Sequence, residues 1–293
     1  MSRIYDALMK AQREQATQRK ATIPSEPLPE PKVVEAEKQT DQPTPLLGAR
    51  PEIGFQKPTV EPLVPRKGIT RVPVGRFIAG PNSVMAEQFR KLRSVITTHN
   101  LTSSLRSVLL TSCMPGEGKT KVSINLAAAI AKGPDDSVIL IDADLRKKSM
   151  SGMLGLRDTL GLSDILAGRA GIHEIFVGTD IKSLTILPAG SNRPNPSELI
   201  GSTRMRSLIQ HLRESYSNSY ILIDSTPIVS TSEASTLSRI VDGVIVIIMA
   251  DKTRRDLVKR ELNTLDSDKI LGVVLNCAEF ETPDYYHKYY PAT

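Results

Sequence analysis

The sequence predicts an α/β protein: a doubly wound, mostly parallel sheet with helices on both faces, preceded by a disordered linker and a short N-terminal helix. Three observations carry this. Apolar runs of strand length alternate with helical patterns beyond residue 100. One such run breaks at a glycine-rich turn and continues as an Ala-rich helix. Two others end in aspartates, which a parallel sheet would gather at its carboxyl edge.

Composition bounds the rest. A chain of 293 residues suits one large domain with an appendage or two small domains. With no Trp and few aromatics, aliphatic side chains must supply the core. The net charge of +6 permits anionic partners without selecting one, and no nucleic-acid partner is expected. Cys113 and Cys277 fit reduced thiols, not a disulfide framework. His99, His173, His211 and His287 have no metal-ligand spacing and are read as non-catalytic. The longest apolar run, residues 244–250, is far short of the roughly 20 residues of a membrane span. No signal-peptide core opens the chain, so a cytoplasmic location is expected.

In chain order, residues 1–20 read as an amphipathic basic helix. Ile4, Ala7, Leu8 and Ala11 recur at helical spacing among Arg3, Lys10, Arg13, Arg19 and Lys20. Such a helix either docks to a partner or anionic lipid, or stays solvated. Residues 21–70 hold ten prolines and no core-forming pattern, and read as a disordered linker. A folded domain is predicted over 71–280. Asn82 or Ser83 caps a helix over 85–96, with Phe89, Leu92 and Ile96 on one face. Glu87, Arg90 and Arg93 stand on another face as E-x-x-R-x-x-R, which by itself is a solvated stripe with an internal ion pair. Strands are predicted at 108–110, 137–142, 184–187, 220–224, 244–248 and 270–275. A short helix is expected at 162–166, one capped by Ser197 running through His211, and one over 256–265.

The turn after the first strand runs Cys113-Met114-Pro115-Gly116-Glu117-Gly118-Lys119-Thr120. It matches the phosphate-loop pattern G-x-x-x-x-G-K-[ST] except that Cys113 replaces the first glycine. Gly116 and Gly118 let backbone N–H groups turn inward, and the following helix adds its partial positive charge. Lys119 can reach β- and γ-phosphates, and the Thr120 hydroxyl can ligate Mg²⁺. Asp142 and Asp144 at the next strand end suit metal binding and proton acceptance. Asp224 ends a later strand in the manner of a Walker B aspartate that holds Mg²⁺ through water. The tail, residues 281–293, places Tyr285, Tyr286, Tyr289 and Tyr290 within six residues and reads as mobile phenol groups beside a nucleotide site.

With these pieces placed, the chain resembles the bacterial tyrosine kinases of capsule and exopolysaccharide synthesis, P-loop proteins of the MinD/ParA-like group. The resemblance rests on segments 86–93, 115–120, 141–146, 194–199, 223–227 and 272–276 and on the tyrosine tail, with residues 2–8 resembling the start of exopolysaccharide-linked autokinases. It implies ATP-dependent autophosphorylation of the tail tyrosines in trans, in regulation of polysaccharide synthesis and export. It implies a nucleotide held by Met114 through Lys121 and by Asn276. Mg²⁺ would sit on Thr120 with Asp144 and Asp224, and Asp142 would take the tyrosine proton. It implies a ring-like homo-oligomer of the unphosphorylated chain through Glu87, Arg90 and Arg93. A separate membrane chain-length-determinant protein would act as activator at the inner membrane face, and a tyrosine phosphatase would reset the chain. The alternative is a ParA- or MinD-like ATPase that phosphorylates nothing. The signature lysine of those proteins falls at Met114 here.

Overall fold

The computed structural model describes residues 71–134 and 136–279. The expected basic helix, the Pro-rich linker and the tyrosine tail lie outside the described residues.

Helix α1 spans Val84–Ser103, and the Ser83 hydroxyl caps it by accepting from Ala86 N at 3.1 Å. It runs beyond the predicted end at residue 96. Strand β1 (Ser107–Ser112) leads through the glycine loop into α2 (Lys119–Ala131). Strand β2 (Ser137–Asp142) is followed by α3 (Ser149–Met153) and α4 (Leu162–Leu166). Strands β3 (Val177–Gly178) and β4 (Leu184–Leu187) come next. The helix predicted from Ser197 is instead two: α5 (Pro196–Ile200) and α6 (Thr203–Ser215). Pro196 opens the first, where its missing N–H costs nothing. Gly201 ends it, and Ser202 caps the second through Met205 N. Ser197 is therefore not a cap, and its hydroxyl points to a side-chain network described below. Strand β5 (Ser219–Asp224), α7 (Glu233–Ser238), β6 (Gly243–Met249), α8 (Arg255–Leu262) and β7 (Ile270–Asn276) complete the order.

The seven strands form one sheet in the order β3-β4-β2-β5-β1-β6-β7. All pairings are parallel except the short β3–β4 pair. Both faces are covered, so the strands read as unbroken apolar runs. Alternate residues divide between two cores. Leu109, Ile139, Ile141, Ile221, Ile223 and Val246 face α4 to α8. Val108, Leu110, Val138, Leu140, Leu222 and Ile247 face α1, α2 and α3. On α6 the buried residues Met205, Leu208, Ile209 and Leu212 recur at i, i+3, i+4 and i+7, the stripe that seats a surface helix. The consequence for function is positional. β1 lies between β5 and β6, so the loop leaving β1 faces the carboxyl ends of β5 and, one strand further, β2.

Candidate active site

The loop from Cys113 to Gly118 is shaped by two glycines with φ near +86° and +85° at Gly116 and Gly118, a region costly to side-chain-bearing residues. Gly118 is the N-cap of α2 and offers no side-chain cap, so the first-turn N–H groups of the helix remain directed at the loop. A Cβ on Gly116 would meet nothing within 4 Å, which marks an open concave side. One on Gly118 would collide with the Asn276 amide, whose Nδ2 donates to Glu117 O at 2.8 Å. Glu117 is buried and turned away from the cradle. Its carboxylate accepts from Met114 N at 2.7 Å, from Met249 N at 3.4 Å and from the Thr253 hydroxyl. The loop is thus tied at two points to the ends of β6 and β7. Lys121 is exposed on α2, Met114 is half-exposed, and burial pushes the Cys113 thiol up to about 12, which leaves it inert.

The carboxylates meet just below this cradle. Asp142 and Asp224 are register partners on β2 and β5, and Leu110 of β1 is the partner of Asp224 on its other side. Asp224 accepts from the Thr120 hydroxyl at 2.8 Å and the Ser123 hydroxyl at 3.2 Å. Lys119 Nζ lies 3.4 Å from Asp224 and 4.0 Å from Asp144. Burial raises the Asp224 carboxyl above its ordinary range, and Lys119, Thr120 and Ser123 offset only part of that rise. Among the described residues Asp142 forms no ion pair; the buried Lys148 ammonium, which donates to Gly190 O, acts on it from farther off. Asp142 Oδ2 accepts from Ser151 N at 2.8 Å and Ser151 Oγ at 2.6 Å, and its Oδ1 from Asp144 N at 3.2 Å. Burial, then the Asp224 charge, lift it to about 7, against the pull of the Ser151 bonds. Asp144 accepts from Lys147 N at 3.0 Å.

A nucleotide and its cation fit this donor set. The cradle supplies amides and an ammonium for phosphate. Thr120 donates its proton to Asp224, which leaves its oxygen lone pairs open to a cation. Among the described residues, no three His, Cys, Asp or Glu side chains are gathered as a self-contained metal site. Any divalent ion here would therefore complete its shell with phosphate oxygens and water.

Three residues of the site carried no signal of their own in the sequence. Ser123 lies one helical turn after Lys119, and Ser151 reaches back to Asp142 from nine residues on. Glu233 is fully buried beside the same edge, where its Oε1 takes Arg146 Nε at 3.1 Å and Ser197 Oγ at 2.8 Å. Among the described residues nothing partners its Oε2. In the E-x-x-R-x-x-R stripe, Arg90 pairs with Glu87 at 2.7 Å and donates to Pro81 O, and Arg93 donates to Ala129 O at 3.1 Å. The four tail tyrosines lie outside the described residues. No described helix is long and apolar enough to cross a membrane.

Comparison with known proteins agrees with this architecture. A ParA family model, described as NUBPL iron-transfer P-loop NTPase, matches residues 104–291. The tyrosine-protein kinase YwqD of Bacillus subtilis is 30% identical over 211 residues, 71% of this chain and 88% of that kinase. The tyrosine-protein kinase CpsD of a Streptococcus pneumoniae serotype 4 strain is 33% identical over 184 residues, 62% of this chain and 80% of that one. The kinase domain of the Escherichia coli tyrosine kinase ETK superposes with a TM-score of 0.64 at 25% identity, covering 74% of this chain and 86% of that domain. The cell-division ATPase MinD of Pyrococcus furiosus shares the fold at a TM-score of 0.51, covering 62% of this chain and 78% of its own. The chain therefore belongs to the bacterial tyrosine-protein kinases, a nucleotide-binding branch of the ParA-type P-loop NTPases.

Proposed function

We propose that the chain is an ATP-dependent protein-tyrosine kinase that phosphorylates Tyr285, Tyr286, Tyr289 and Tyr290 of another copy and so regulates capsule or exopolysaccharide synthesis. The observation that carries this is the division of labour among the acids. Asp224 is paired with Lys119, whereas Asp142 forms no ion pair among the described residues and has a pKa of about 7. A phenol with a pKa near 10 is a weak nucleophile at neutral pH, and a carboxylate that titrates near 7 is matched to accept its proton.

In this reading Lys119 and the loop amides hold and neutralise the phosphates of ATP. Thr120 would ligate Mg²⁺ directly, with Asp144 and Asp224 supporting it through water. The ion would supply neutralisation of phosphate charge. Asp142 takes the proton of the tyrosine hydroxyl as the phenolic oxygen bonds to the γ-phosphorus. The bond from that phosphorus to its bridging oxygen breaks, and ADP leaves. Positioning and charge carry the rest. Glu87, Arg90 and Arg93 would form the subunit contact that brings a tail into the neighbouring site. A separate membrane protein of the chain-length-determinant type would recruit and activate the kinase through the N-terminal segments, and a phosphatase would reverse it.

Incubation of the purified chain with ATP and Mg²⁺, followed by detection of phosphotyrosine, tests the reading, with Lys119→Met as the inactive control. The match to the ParA model and the MinD likeness favour one second reading, a nucleotide switch without a protein substrate. ATP hydrolysis with no phosphotyrosine would select it.

A further inference from the structure

The amino ends of β5, β1 and β6 form the sheet edge opposite the phosphate loop, roughly 20 Å away across six-residue strands. An open groove of about 780 Å³ lies there, lined by Arg106, Arg206, Arg213 and Arg239. The cluster is fixed by regular elements. Arg206 and Arg213 flank Ile209 and Gln210 at i, i+3, i+4 and i+7 on one face of α6, Arg106 leads into β1, and Arg239 follows α7. Two of the guanidiniums are occupied. Arg213 pairs with Asp242 at 3.0 Å, and Arg106 stacks over the Tyr220 ring at 5.5 Å. Arg206 and Arg239 are exposed, and among the described residues no side-chain partner engages either guanidinium.

Among the described residues, Glu214 and Asp242 are the carboxylates set against these four cations. Glu214 lines the groove and accepts from Gln210 Nε2 at 2.9 Å. Asp242 is already filled by Ser107 N, Ser107 Oγ and Arg106 N, besides Arg213. Among the described residues the concavity therefore holds a positive surplus. Guanidinium forks match phosphate oxygens in pairs, and the volume falls in the range of small-molecule pockets. Ser104 and Ser217 on the rim supply hydroxyl donors of the kind that complete such a site.

We propose that this groove is a second anion site, distinct from the nucleotide cradle, that binds a phosphate group of the monoester or diphosphate class. Phosphotyrosine carried on another protein and a free diphosphate share that chemistry. The inference does not depend on the chain's own phosphotransfer.

Calorimetric titration of the full chain tests it, with the nucleotide cradle saturated with ADP and Mg²⁺. The probes are inorganic pyrophosphate, a synthetic peptide of residues 281–293 phosphorylated on Tyr289, and the same peptide unphosphorylated. A phosphate-bearing probe should bind saturably, and Arg206→Ala with Arg239→Ala should weaken it about tenfold or more while ADP affinity stays unchanged. Unchanged ADP affinity also reports that the variant folds. Tighter binding of the phosphopeptide identifies a protein-borne phosphate, and tighter binding of pyrophosphate identifies a free one. Either supports the site. Binding of neither, binding that the double variant leaves intact, or equal binding of the unphosphorylated peptide would overturn it.

Discussion

Ser151→Ala tests the proton-acceptor role proposed for Asp142. The substitution deletes one charge-assisted hydrogen bond, Ser151 Oγ to Asp142 Oδ2 at 2.6 Å, and keeps the backbone bond from Ser151 N at 2.8 Å. A hydrogen bond to a charged group contributes about 1.5–3 kcal/mol, and 1.36 kcal/mol is one pKa unit. The bond favours the carboxylate, so its loss should raise Asp142 from about 7 by roughly one to two units. At pH 7 the deprotonated fraction falls from near one half, which slows phosphotransfer roughly five- to fifty-fold. Raising the pH should restore the rate. The assay is the initial rate of phosphotyrosine formation at saturating ATP, measured from pH 6 to pH 9.5 in both proteins. Ser151 Oγ also accepts from Ala189 N at 3.0 Å, so the variant carries a pH-independent cost in stability or rate. The two effects separate cleanly. One displaces the acid limb of the profile and the other lowers its plateau. An acid limb that stays in place would refute Asp142 as the proton acceptor.

Asp142→Asn should lose phosphotransfer while keeping ATP affinity within about threefold, as judged by equilibrium titration; equal loss of both would make Asp142 a metal or phosphate residue instead. The same variant should melt higher than wild type at pH 8, with the gain shrinking towards pH 5. The folded pKa of about 7 lies above the ordinary carboxyl value of 3.8, so the native state binds the extra proton between them and loses stability as pH rises through that window. Lys119→Met should fold yet form no phosphotyrosine, and persistent transfer would sink the cradle assignment. Gly118→Ala should weaken nucleotide binding about tenfold or more, since its φ of +85° is strained with a side chain and its Cβ displaces the Asn276 amide. Adding Asn276→Ala should return part of that loss in a double-mutant cycle, and strict additivity would show that the Asn276 contact plays no role. Alanine at Glu87, Arg90 and Arg93 together should reduce the mass seen by light scattering and slow phosphorylation at low protein concentration, and an unchanged mass would leave these residues as a solvated stripe.

The sheet was legible because a strand buried on both faces must be apolar throughout, and residues 137–142, 219–224 and 243–249 have no other reading. The cradle was legible for the complementary reason: a sharp turn needs glycine, and Gly116 and Gly118 sit at positive φ. What the sequence hid is contact at a distance. Nothing around Ser151 distinguishes it from other serines until α3 folds back under β2. Ser197 looked like a helix cap because serine before Glu-Leu usually is one, yet Arg146 and Glu233 claim its hydroxyl once three strand ends converge. Glu117 resembled a loop residue facing phosphate. Its burial against Met249 and Thr253 makes it a tether, a role visible only after β6 is placed beside β1.

The two register-matched aspartates show how one sheet edge gives identical side chains different surroundings. Asp142 and Asp224 stand opposite each other on β2 and β5, and both are buried. Desolvation penalises their charge alike. What differs is the element packed against each. α2 begins with Lys119-Thr120 and brings an ammonium and two hydroxyls to Asp224, which offset part of the burial that holds its carboxyl above the ordinary range. α3 brings Asp142 the amide and hydroxyl of Ser151, while the ammonium of its N-cap residue Lys148 acts from farther off without forming an ion pair, and the Asp142 proton is exchangeable near neutrality. The proposed mechanism uses that difference, with Asp224 beside the phosphate-binding lysine and Asp142 moving the proton. A switch that hydrolyses nucleotide must take a proton from the attacking water at the same place, so the surroundings of Asp142 fit phosphoryl transfer to either acceptor, and the phosphotyrosine assay decides between them.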